Sequence, residues 1–77
     1  MTDEQAIDFI LKELAFARRK HPKFPEDRIH QAAIVGEEAG ELLRAALQAQ
    51  YEDGHPNACA EEAVQVGAMA VRFLTGR

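Results

Sequence analysis

The chain has 77 residues with 47% hydrophobic and 29% charged side chains, which leaves room for one domain, residues 1–77, and excludes both a multidomain enzyme and a disordered tail. Thirteen acidic against nine basic residues give a net charge of −4, so phosphate-backbone binding is not the business of this surface and nucleic acid is not an expected partner. The single cysteine, Cys59, cannot form an intrachain disulfide, and no apolar run approaches the roughly 20 residues that span a bilayer, so a soluble, cytoplasmic protein without a membrane partner is expected.

Prolines and glycine cut the chain into three helical segments. The first, residues 3–20, opens with a capping box from Thr2 to Gln5 and sets Ile7, Ile10, Leu11, Leu14 and Ala17 at helical spacing. Lys20-His21-Pro22-Lys23-Phe24-Pro25 breaks it, because proline removes helical freedom from the residue before it. The second, residues 26–51, is rich in Ala, Leu, Glu and Gln, and Asp53-Gly54-His55-Pro56 ends it. The third, residues 57–75, carries Cys59, Ala63, Val66, Ala70 and Phe73 on one stripe and stops at Gly76, a natural C-terminal cap. No strand pattern is present, and an all-α chain of three helices follows.

On the second helix Ile29, Ala33, Gly36, Gly40, Leu43 and Leu47 fall on one apolar stripe, with Ala32, Val35, Ala39, Leu42 and Ala46 beside it. A helix apolar over most of its circumference belongs inside a bundle, yet a domain of this length supports only a marginal core by itself. The expected assembly is therefore an oligomeric helical bundle, a homodimer or a dimer of dimers, with the second helix central to the interface. Gly36 and Gly40 would let a neighbouring backbone come close, and they either relieve crowding there or serve the approach of a ligand.

The rest of that helix holds Glu37, Glu38 and Glu41, while Glu62 on the third helix falls on the apolar stripe, beside Val66, Met69 and Phe73. Surface carboxylates on helices usually have a Lys or Arg three or four residues away, as Asp8 has Lys12. Around Glu37, Glu38, Glu41, Glu61 and Glu62 the only such partner is Arg44, three after Glu41. A self-repelling cluster aimed at a core either loses charge or surrounds a cation. Glu38 with Glu41 and Glu62 with Gln65, each pair three apart, offer the oxygen set of a hard divalent ion, Mg²⁺ or Mn²⁺. The competing reading is a solvated acidic face.

Ile34-Val35-Gly36-Glu37-Glu38-Ala39-Gly40-Glu41-Leu42-Leu43 followed by Glu61-Glu62-Ala63-Val64-Gln65 resembles the signature of the MazG-like all-α nucleoside triphosphate pyrophosphohydrolases, relatives of the dimeric dUTPases and of phosphoribosyl-ATP pyrophosphohydrolase. That signature is E-E-x-x-E on one helix and E-x-x-D on the next, and Gln65 stands where the family has its aspartate. The resemblance covers about two thirds of the chain. It implies Mg²⁺ held by Glu38, Glu41 and Glu62 with Gln65 at the fourth position, and Glu37 as a supporting residue or base. It also implies cleavage of a nucleoside triphosphate to monophosphate and pyrophosphate, with nucleotide-pool cleansing as the expected setting. Gln65 supports the rival reading, a catalytically weak or inactive helical module that oligomerises or senses nucleotides.

The remaining candidates each carry two readings. Arg18, Arg19, Lys20, His21 and Lys23 form the one basic cluster, which either balances the helix C-terminus or faces phosphate. Arg72 reaches phosphate or pairs with Glu61 across a dimer. His30 is a hydrogen-bonded histidine or a substrate contact. Phe24 and Tyr51 plug the small core or stack on a base.

Overall fold

The computed structural model describes all 77 residues as three helices: α1 (Asp3–Lys20), α2 (Arg28–Tyr51) and α3 (Pro56–Thr75). No strand is present, so the chain is all-α as its periodicity implies. Each boundary has a local cause. Thr2 Oγ1 accepts from the Gln5 N–H at 3.1 Å while Gln5 Oε1 accepts from the Thr2 N–H at 2.8 Å, closing the capping box at α1.

Helix α2 starts two residues later than its composition suggests. Asp27 is the cap, its carboxylate accepting from the His30 N–H at 3.0 Å, which leaves Glu26 outside the helix. Helix α3 starts one residue earlier than expected, with Pro56 in the first turn, where a missing N–H costs nothing, and His55 Nδ1 accepting from the Asn57 N–H. Gly76 ends α3 at φ 75, the left-handed conformation that favours glycine. At the end of α2 it is Asp53, not Gly54, that turns left-handed at φ 58. Gly54 instead brings its backbone against Gln48, whose main chain and Cβ would lie only 2.8 Å from an added Cβ.

Helix α3, not α2, is the centre of the chain. It packs on both other helices, and α1 and α2 do not pack on each other. Helix α1 comes close to α3 at Gly67, where a Cβ would meet Ile10 Cδ1 at 2.7 Å. Only Leu14, Ala17, Ala45 and Ala68 are buried apolar residues. Several expected core positions therefore lie open. Ile7 and Leu11 of α1 are about half exposed, because α3 covers only one side of that helix. Ile29, Leu43 and Leu47 of α2 are exposed too, since α2 meets α3 through the opposite face, Gln31, Val35, Glu38, Leu42 and Ala45. Tyr51 ends α2 exposed and plugs nothing.

Two arginines pin the proline segment between α1 and α2. Buried Arg72 stacks on the Phe24 ring, 4.6 Å to its centre, and donates from Nη2 to the His21 carbonyl at 2.8 Å and from Nη1 to the Ala17 carbonyl at 3.4 Å. It thereby gives the His21 carbonyl a donor, adds a second to the Ala17 carbonyl, which already accepts from the His21 N–H at 2.7 Å, and sets a positive charge at the C-terminus of α1, where that sign is favourable. Arg28 lies 3.6 Å from the centre of the Phe73 ring and donates at 2.8 Å to buried Gln31, which in turn donates to the Pro25 carbonyl. No helix is long and apolar enough to cross a membrane.

Candidate metal centre

Because α1 and α2 stand apart on α3, a cleft of about 420 Å³ opens between them, floored by Gln65, Met69 and Arg72. Glu38 enters it from α2 and Glu13 from α1. The three-residue step along α2 and the packing of α2 on α3 bring Glu38, Glu41 and Glu62 together, one carboxylate oxygen from each within 4.8 Å of the others. Glu38 and Glu62 are half-buried and Glu41 is exposed.

None of these acids has a cation. The one ion pair in the chain joins Lys12 to Asp8 at 2.8 Å on the outer face of α1. One oxygen of Glu38 and one of Glu62 are buried without a hydrogen-bond donor. Burial pushes the Glu38 carboxyl above the ordinary range, and the charges of Glu41, Glu62, Glu37 and Glu13 push the same way. Burial also raises Glu62. Its neighbour Glu41 adds to that rise by its charge and by accepting a hydrogen bond from the protonated acid, and Glu61 adds a little more. Three oxygens converging at this separation, two of them lacking donors, suit a hard cation of oxygen-rich coordination.

Gln65 lines the same cleft as Glu38, half-buried, one turn along α3 from Glu62. An amide oxygen is an acceptor without charge, unlike the neighbouring carboxylates. Glu37 is exposed and lies outside both the cluster and the cleft lining, near enough for its charge to act on Glu38.

The basic residues divide. Lys20, His21 and Lys23 line the cleft at the end away from the carboxylates, with Lys20 Nζ 5.7 Å from the centre of the Phe16 ring. Arg19 and His30 are exposed and outside the cleft lining. Arg18 donates to the Thr75 hydroxyl and the Arg77 carbonyl at the end of α3. Arg72 lines the cleft, but its two terminal nitrogens are taken by carbonyls of the α1 terminus, and it is no partner for Glu61 within the chain. Only its Nε is buried and free of a partner, and burial, then the neighbouring Arg18, lowers its pKa from the ordinary arginine value.

Glu13 is the residue that the carboxylate motifs do not reveal. The signal was available, since Phe9, Ile10, Phe16 and Ala17, three and four residues away, include no cation, the same test that isolates Glu38 and Glu62. Phe24, one of the two aromatics the sequence offers for a plug or a stack, lines the cleft, and Phe16 joins it as a wall only once α1 is placed. Compared with known proteins, the chain matches no family model, no curated protein and no solved structure.

Proposed function

We propose that this chain is a Mg²⁺- or Mn²⁺-dependent pyrophosphohydrolase of nucleoside or deoxynucleoside triphosphates, acting in the cytoplasm. The observation that carries the reading is the cleft with carboxylates at one end, Glu38 beside Glu41 and Glu62, and Lys20, His21 and Lys23 at the other. Glu38, Glu41 and Glu62 would hold the ion, with the Gln65 amide oxygen as a further neutral ligand. Once bound, such an ion neutralises phosphate charge and acidifies water.

The chain's own groups complete the chemistry. Lys20 and Lys23 attract the polyphosphate and orient it along the cleft, a point-charge role that suits ammonium groups. Phe16 and Phe24 offer apolar walls for a base or sugar. A spare carboxylate must take the proton of the attacking water. Glu37 has that role by resemblance, and Glu13, facing Glu38 across the cleft, is a second acceptor that the fold adds.

A second reading rests on Gln65. With a neutral amide where the resembling enzymes carry a carboxylate, a module that binds nucleotide and metal without turnover has the same cleft. Release of pyrophosphate, assayed over a panel of ribo- and deoxyribonucleoside triphosphates with Mg²⁺ and with Mn²⁺, separates the two. Turnover lost in Glu38→Gln establishes the enzyme. Metal-dependent nucleotide binding without product selects the sensor, and neither binding nor turnover refutes both.

A further inference from the structure

The face of α2 that turns away from α3 has no partner within the chain. Ile29 is 80% exposed, Leu43 62% and Leu47 46%, and nothing lies within 4 Å of the position a Cβ would take at Gly36 or Gly40. The chain as a whole exposes 5698 Å². A folded monomer of 8.5 kDa exposes about 4,650 Å² by the usual scaling, so roughly 1,000 Å² per chain is in excess. That is close to the surface, about 800 Å², that a standard interface removes from each partner.

The order of residues along this face identifies the partner. Ile29 and Leu47, Ala33 and Leu43, and Gly36 and Gly40 are pairs equidistant from position 38. A helix with that symmetry is complementary to its own antiparallel copy about a two-fold axis passing beside position 38, as an isologous interface requires. Large side chains then meet at the two ends, Ile29 against the partner's Leu47. Small ones meet at the middle, Gly36 against the partner's Gly40, where the backbones can approach closely. The stripe also repeats every seven residues, Ile29 to Gly36 to Leu43 and Ala33 to Gly40 to Leu47, the period that keeps a seam facing its partner along two coiled helices.

The two flanks agree with this choice. Two-fold symmetry brings like flanks together. On one side exposed Ala39 meets its own copy and exposed Ala32 meets the partner's Ala46, an apolar continuation of the seam. On the other side exposed Glu37 lies about 8 Å along the axis from the partner's Arg44. Side chains on a helix tilt toward its N-terminus, so in an antiparallel pair these two lean toward each other. Arg44, which has no ion-pair partner within the chain, gains one, and the two-fold axis repeats the pair.

We infer that α2 forms an antiparallel two-fold interface with a second copy of this chain, centred beside position 38, with Ile29 packed on the partner's Leu47 and Glu37 paired with the partner's Arg44. This commits the expected self-association to one face, one register and one pair of charges. The interface needs neither metal nor nucleotide in order to form, because Glu38 and the cleft lie on the other side of α2.

Sedimentation equilibrium of the full chain at low micromolar concentration should return a dimer or a multiple of it. A folded monomer at that concentration overturns the inference. Register is read by cysteine pairing in a Cys59→Ala background. Mixed and oxidised, Ile29→Cys and Leu47→Cys chains should form the 29–47 disulfide at least tenfold more than either forms with itself, since two copies of position 29 stand about 27 Å apart in this arrangement. Self-linked Ile29→Cys as the main product means parallel pairing and also overturns it. Glu37→Arg should weaken the dimer about tenfold, and adding Arg44→Glu to the same chain should restore it. These charge variants sit on the exposed flank and leave the core intact, so they decide the matter if the cysteine chains do not fold. Failure of the charge swap to restore association removes the proposed register.

Discussion

Replacing Glu62 by glutamine should make the metal-free protein more stable and remove most of the stabilisation that metal brings. Glutamine keeps the volume and loses the charge. With oxygens within 4.8 Å, each ionised pair among Glu38, Glu41 and Glu62 repels by about 3.5 kcal/mol at an effective dielectric of about 20. Protonation limits the damage, because neutralising an acid of ordinary pKa, about 4.3, costs about 3.7 kcal/mol at pH 7 and no more. Partial solvent access screens the charges further and brings the net gain for Glu62→Gln to about 1 kcal/mol, or about 4–8 °C in a domain of this size. Metal at a hundredfold excess over its Kd stabilises the wild type by about 2.7 kcal/mol by mass action, and the variant should keep only a small part of that. Thermal melts followed by circular dichroism at pH 7, with chelator and then with millimolar Mg²⁺ or Mn²⁺, give both numbers. A variant that melts below wild type in chelator, or that gains as much from metal, shows that Glu62 faces no shared cation and the carboxylates are an acidic face.

The pH dependence follows from the same charges: Glu38 and Glu62 have raised folded-state pKa values, so their contribution is favourable when protonated and is lost as pH rises through those values. Metal-free melting temperature should therefore rise as pH falls from neutrality toward the ordinary carboxylate range, and saturating Mn²⁺ should reverse that slope in melts taken between pH 5 and 7.5, roughly the span over which such linkage acts. Arg72→Met should destabilise by about 2–4 kcal/mol in urea unfolding, because the His21 carbonyl loses its donor, the Ala17 carbonyl loses its second one and the stack on Phe24 goes, and Arg72→Lys should not rescue it, an ammonium lacking that planar stack. Gln65→Asp should tighten Mn²⁺ by tenfold or more in calorimetric titration while lowering metal-free stability; unchanged affinity in a folded variant places Gln65 outside the ligand set.

Helix positions were legible in the sequence because their signals are local. Thr2, Asp27, Pro56 and Gly76 act within one turn of where they stand. Asp27 displaced the expected start at 26 because a carboxylate accepting an N–H outweighs composition at a helix end. The convergence of Glu38, Glu41 and Glu62 was legible too, since spacing fixes the two on α2 and the stripe of α3 aims the third. Which helix lies at the centre was not. Periodicity reports that a face is apolar but not what covers it, so the stripe from Ile29 to Leu47 reads as the inside of a bundle or an oligomer, and no part of the chain itself covers it. Glu13 and the dual duty of Arg72 depend on where α1 lies relative to α3, which Gly67 decides by letting Ile10 approach.

These features bear on one another through stability. With four buried apolar residues, the chain has little core with which to offset carboxylates turned inward. A cation at Glu38, Glu41 and Glu62 would convert repulsion between α2 and α3 into a bridge, and a second copy on α2 would cover the face that α3 leaves open. The two act on opposite sides of the same helix, so each should stabilise the α2 on which the other depends. Metal should then tighten the dimer, although no ligand of the ion comes from the partner. Binding and folding linked in this way would make the apo monomer the weakest state of the protein and the metal-bound dimer the strongest.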